Sequence, residues 1–180
     1  EIEIEEYYPT WTTPSTESFK EFVLSDKTHS YGSANVWTFS NGFGVTGDAD
    51  RHYASTGDYI KYSNGYEYTI SVPSNVTVYK VKVEGYANAA VGTTSYLAAF
   101  GTQTFDATRY VFPSGNASVN RASYEFSLPE AVTGGTLKIQ ATGAQTCMIV
   151  TLYGKENAYD LDEVANEMEE VADGTETVTE

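Results

Sequence analysis

From Val36 to Lys155 the chain is written in short alternations of apolar and polar residues, broken every few positions by Gly, Pro or Asn-Gly. Alternation with period two marks a strand that turns one face to a core and the other to water. The run "DYIKYSNGYEYTISV" (58–72) has two such arms about Asn64-Gly65, a dipeptide suited to the positive φ of a tight turn, and predicts a hairpin. In its second arm Tyr66, Tyr68, Ile70 and Val72 share the core face, opposite Glu67, Thr69 and Ser71. "VWTF" runs into a second such dipeptide, Asn41-Gly42. "TVYKVKVEGYAN" sends Tyr79, Val81 and Val83 inward and Lys80, Lys82, Glu84 and Tyr86 outward. "SYLAAFGTQTFD", "ASYEFSLP", "GTLKIQAT" and "TCMIVTLYGK" add four strands. About eight short strands at this spacing predict an all-β fold, an antiparallel two-layer β-sandwich of jelly-roll type.

The two ends break this pattern. Residues 1–17 open on "EIEIE", alternate like a one-sided strand, then dissolve into a Pro- and Thr-rich stretch that reads as an acidic leader or linker. "SFKEFVLS" fits a strand or a helical turn equally well. The sandwich is expected over 18–156. Beyond it, Leu161, Val164, Ala165, Met168, Val171 and Ala172 fall at helical spacing, which predicts a short acidic amphipathic C-terminal helix over 157–174 and a linker-like tail over 175–180.

Composition sharpens the picture. Fifteen Tyr, eight Phe and two Trp favour pleated sheet over helix. The net charge of −15 is concentrated at the ends, with ten acids in 155–180 and six in 1–21, against nine acids and eight bases between. An acidic chain without clustered Lys or Arg repels phosphate backbones, so no nucleic acid and no anionic membrane is expected as a partner. No run of eighteen apolar residues exists, so no membrane insertion is expected. Cys147 is the single cysteine, which rules out an intrachain disulfide, and its apolar surroundings "CMIVTLY" predict a buried, inert thiol.

Catalytic signatures are missing. There is no phosphate loop, nucleophile elbow or zinc-protease helix, and the two histidines, His29 and His52, are too few for a histidine-based metal centre. Glycoside hydrolysis needs two carboxylates across one sugar, and Glu67, Glu84, Glu125, Asp58 and Asp106 are scattered at solvated strand positions. Lys80, Lys82 and Tyr86 on one face could serve a lyase, and a solvated face explains them more simply. The expectation is a protein that is not an enzyme and has no cofactor. A structural calcium ion is the one metal considered: Asp48 and Asp50 in "GDADRHYASTGD", with loop carbonyls, can begin an oxygen cage, although a polar turn has the same composition.

The aromatic residues carry more information. Trp37, Phe43, Tyr53, Tyr86 and Tyr110 break the inward phase or sit in loops. A flat ring beside polar side chains is what a sugar needs, with its C–H face on the ring and its hydroxyls on the polar groups. Tyr86 with Asn88, Arg109 with Tyr110, and Tyr53 are therefore the candidate ligand-binding residues.

The phrases "GDYIKYSNGYEYTISVP", "VTVYKVKVEGYAN", "ATRYVFP" and "GTLKIQATGAQTCMIVTLYGK" make the stretch Val36–Lys155 resemble the accessory, carbohydrate-binding-like β-sandwich modules of secreted Bacteroidetes-type polysaccharide lyases and related surface proteins. The resemblance implies a polysaccharide or glycan partner, a secreted or cell-surface location and an adjoining catalytic domain. It supplies no binding residue, and the acidic leader and C-terminal helix depart from it. Two other readings stay open. One is a structural or adhesive surface subunit that self-associates through its N-terminal strand, and the other is a small polysaccharide lyase or glycoside hydrolase.

Overall fold

The structure, a computed structural model, describes residues 19–25, 28–33, 36–47, 53–54, 58–115 and 121–157. Among them are fourteen strands and no α-helix. One sheet holds β1 (Lys20–Leu24), β5 (Tyr53–Ala54), β6 (Ile60–Tyr62), β8 (Val76–Ala87), β12 (Ala122–Thr133) and β14 (Thr146–Glu156). The other holds β2 (His29–Ser33), β3 (Val36–Phe39), β4 (Gly44–Gly47), β7 (Glu67–Ser71), β9 (Thr94–Phe100), β10 (Gln103–Thr104), β11 (Val111–Pro113) and β13 (Thr136–Thr142). The expected leader, C-terminal helix and tail lie outside the described residues, and so do Asp48 and Asp50.

All strand pairings within the sheets are antiparallel, and the chain changes sheet at almost every step from β6 to β14. The first sheet runs β12-β8-β14-β6, and the second runs β9-β13-β7, with β10 and β11 both on the free side of β9. This is the jelly-roll path. Strands β4, β3 and β2 widen the second sheet, while β1 takes the part of the β14 edge that β6 leaves open, Lys20 opposite Gly154.

The core lies between the sheets. Val76, Val78, Val81, Val83, Met148, Val150 and Leu152 from the first sheet meet Trp37, Val45, Tyr68, Ile70, Leu97, Phe100, Phe112, Leu137 and Ile139 from the second, and all are buried. Apolar burial on this scale is the main force holding two such layers together. At one corner Ala87 and Ser114 form a parallel bridge that ties the end of β8 to the end of β11.

Two expectations change here, and one ambiguity is resolved. The run 58–72 is not a hairpin: β6 pairs with β14 and β5, whereas β7 pairs with β13 and β4. Asn64-Gly65 does turn the chain, with Gly65 at φ 77°, but turn chemistry fixes a reversal and not a partner. Crossing between sheets lets Tyr62 and Tyr68 meet edge-to-face in the core at 4.9 Å, and burial pushes the Tyr62 phenol above its usual range. The true hairpin forms at Asn41-Gly42, joining β3 to β4. In β8 the register shifts opposite Tyr153 and Gly154, so Val78 rather than Tyr79 faces the core. Tyr79 stacks instead on Phe19, at 4.9 Å and 6°. The "SFKEFVLS" ambiguity resolves as strand β1.

Candidate functional site

The outward faces of β4, β7 and β13 form a polar shelf. Tyr68, Ile70, Val45 and Ile139 point into the core, so alternation turns Glu67, Thr69, Thr46, Lys138 and Gln140 outward. The register sets Gln140 opposite Glu67, Lys138 opposite Thr69, and Thr69 opposite Thr46, which places these side chains side by side across three strands. Glu67, Thr69, Thr46 and Gln140 line an open groove of about 500 Å³, together with Gly47, Gly65 and Tyr66.

Tyr66 is the aromatic residue among those lining the groove. Its parity is that of the core residues, but it precedes the first paired residue of β7 and stands beyond the core, 48% exposed. The loop that carries it is fixed from β13: the Gly65 amide donates to the Ala141 carbonyl at 2.9 Å, and Gln140 Nε2 donates to the Gly65 carbonyl at 2.7 Å. Glu67 is ion-paired with Lys138 at 2.9 Å, both half exposed, so the groove carries no net charge from this pair. The arrangement offers one aromatic face, a carboxylate, an amide and two threonine hydroxyls on a rigid sheet. That set can hold a polyhydroxylated ring by stacking and hydrogen bonding.

The residues expected to bind ligand do not gather into one site. Tyr86 is on the outer face of the first sheet, as expected, but only 5% of it is exposed: its ring meets Tyr59 edge-on at 5.3 Å, beside the buried Cys147. Arg121 caps that cluster, donating to Tyr59 Oη at 3.3 Å and pairing with Glu84 at 2.9 Å. The Tyr59 hydrogen bond, with Glu84 beside it, holds the guanidinium above its ordinary value. Asn88, past the end of β8, lies exposed with its amide 3.5 Å from Gln145.

Tyr110 is 9% exposed, in the core between the sheets, where Phe105, Tyr124 and Phe126 surround it at 4.5 to 5.8 Å. Trp37 and Phe43 are buried as well. Arg109 is exposed over the Tyr110 ring, on a turn fixed by Asp106, whose Oδ1 accepts from Thr108 N and Oγ1 at 2.9 Å each. Those bonds, the backbone one first, hold the Asp106 carboxyl below its usual range. Tyr53 belongs to β5, and its side chain is outside the described set. Among the described residues no group of three or more His, Cys, Asp or Glu is placed to hold a metal ion.

No protein-family model matches the chain, and no curated protein matches it. Among solved structures it is similar to the catalytic unit of a thermostable GH87 α-1,3-glucanase from Streptomyces thermodiastaticus, with 13% identity and a TM-score of 0.38. The likeness covers 78% of this chain and 26% of that one, so the chain spans about a quarter of that neighbour.

The groove residues were missed in the sequence for a definite reason. Tyr66 has core parity, and Glu67, Thr69, Thr46 and Gln140 look like ordinary solvated positions. Only the pairing of β13 with β7 and of β7 with β4 makes them neighbours.

Proposed function

We propose that this protein is a non-catalytic carbohydrate-binding module, acting on polysaccharide at a secreted or cell-surface location, and that the Tyr66 groove is its binding face. The observation that carries this reading is the half-exposed Tyr66 ring beside Glu67, Gln140, Thr69 and Thr46 along an open shelf. A sugar ring has apolar C–H faces and a rim of hydroxyls, which suit an aromatic plate beside a row of hydrogen-bonding groups. Against hydrolysis stands the carboxylate count among the described residues: of these, Glu67 alone lines the groove, and it is held by Lys138, whereas the reaction needs two carboxylates about 5–10 Å apart.

The test is a panel of neutral and acidic polysaccharides measured by calorimetry, with turnover followed in parallel. Binding of a neutral glycan without release of shorter products supports the proposal. Well-folded protein that binds none of them rejects it.

A further inference from the structure

A second cavity, of about 290 Å³, lies at the end of the sandwich where β12 loses its register. β12 pairs with β8 up to Ser127 and resumes at Val132, and the intervening residues swing away from the sheet. They face the Gly101-Thr102 turn between β9 and β10 and the start of β13. Leu128, Ala131, Val132 and Leu137 give the cavity apolar walls, with Thr102 and Lys138 among its polar edges. The Gly101 amide donates to the Lys138 carbonyl at 2.7 Å, which fixes the turn against β13.

The cavity and the groove are neighbours along one strand. Thr136, Lys138 and Gln140 are successive outward residues of β13; the first two line the cavity and the third lines the groove. The Lys138–Glu67 ion pair joins the two, since Lys138 lines one and Glu67 the other. The volume is near the lower bound for small-molecule sites, about 300 Å³, which suits an aromatic ring or short chain. A bare sugar offers apolar walls only its C–H faces, and any hydroxyl turned toward those walls would be buried without a partner.

We propose that the cavity receives an ester-linked acyl group carried by the glycan, so that the protein selects acyl-substituted over bare polysaccharide. The acyl carbons take the Leu128, Val132 and Leu137 walls, and the ester carbonyl accepts from the donors at the edge, Lys138 or the Thr102 and Thr136 hydroxyls. This inference rests on the groove being a glycan site.

Its test uses the full chain, a naturally O-acetylated neutral polysaccharide, the same polymer after mild alkaline de-esterification, and methyl benzoate as a probe of the cavity alone. The acetylated polymer should bind about fourfold more tightly, the gain expected from burying the one methyl group of an acetyl ester. Ala131→Phe and, from the opposite edge, Thr102→Phe should each remove that preference and leave affinity for the de-esterified polymer unchanged. A melting curve on both identifies a variant that fails to fold, and the other then decides. Methyl benzoate should shift the amide resonances of Gly101, Leu128 and Leu137 in the parent protein and in neither filled variant. Equal affinity for the two polymers, or a preference that survives both substitutions, overturns the acyl reading and leaves the groove standing. Failure to bind either polymer overturns both, even where methyl benzoate still enters the cavity.

Discussion

Tyr124 Oη donates to the Val111 carbonyl at 2.5 Å and accepts from the Val111 amide at 3.0 Å, so one hydroxyl on the first sheet serves both backbone groups of a residue in the second. The bond is a clasp across the sandwich, holding short β11 where its pairing with β9 spans only Val111 to Pro113. Tyr124→Phe keeps the ring contacts with Tyr110 and Phe112 and deletes the clasp. It should cost about 1–2 kcal/mol in chemical denaturation, and the Val111 amide should exchange faster with solvent.

Tyr66→Ala tests the groove with little risk to the fold, since the ring is half exposed at the end of a turn. Glycan affinity should fall about five- to thirtyfold, equivalent to 1–2 kcal/mol of lost stacking, with stability unchanged within about 0.5 kcal/mol. Calorimetry that shows unaltered affinity would remove Tyr66 from the site.

Tyr86→Ala should behave in the opposite way. The ring packs with Tyr59 and Cys147, and its loss leaves a hole beneath Arg121 and Tyr59. The expected cost is about 2–4 kcal/mol of stability, with glycan affinity untouched. A variant that melts like the parent and binds less would return Tyr86 to the binding residues.

Gly85 is required by close approach between strands. A Cβ there would sit 2.1 Å from the Cys147 carbonyl oxygen, in backbone that cannot move without breaking the β8–β14 ladder. Gly85→Ala is expected to destabilise by at least the roughly 1–3 kcal/mol typical of overpacking, seen as a lower denaturant midpoint.

The Asp106 carboxyl gives a pH signature. Its folded-state pKa is depressed, chiefly by the Thr108 amide and then by the Thr108 hydroxyl, below the ordinary value of 3.8. The stability it adds is therefore fully present above that ordinary value and is lost as the pH falls through the lower folded one. In a carboxyl-carbon NMR titration Asp106 should report a midpoint below 3.8, and Thr108→Ala should move it upward. A midpoint unaffected by Thr108→Ala would show that the hydroxyl does not hold the charge.

Period-two patterns made the strands legible, and the jelly-roll class followed from their number and spacing. Partners were not legible, as the two Asn-Gly dipeptides show: identical turn chemistry gives a hairpin at Asn41-Gly42 and a change of sheet at Asn64-Gly65. What separates them is where Tyr62 and Tyr68 bury their rings, a property of the assembled core and not of the local run. The candidate aromatics illustrate the same limit. Tyr86 and Tyr110 break the inward phase, yet one is covered by Tyr59 and the other by Phe105 and Tyr124, from elements outside their own strands. Among the described aromatic residues Tyr66, with inward phase, is the one left half exposed.

The path of β8 through the fold also governs how the chain is made. Both neighbours of β8 are later in the sequence, β12 and then β14, whose last paired residue is Glu156 opposite Val76. On the ribosome, β8 thus emerges with Val76, Val78, Val81 and Val83 and with two open edges, and waits on the order of ten seconds for its final partner to be synthesised. Throughout that interval the nascent strand is a template for pairing with other chains. The Lys80 and Lys82 side chains on its outer face, which end up in ion pairs with Glu125 and Glu84, supply the charge that discourages such pairing until the sandwich closes.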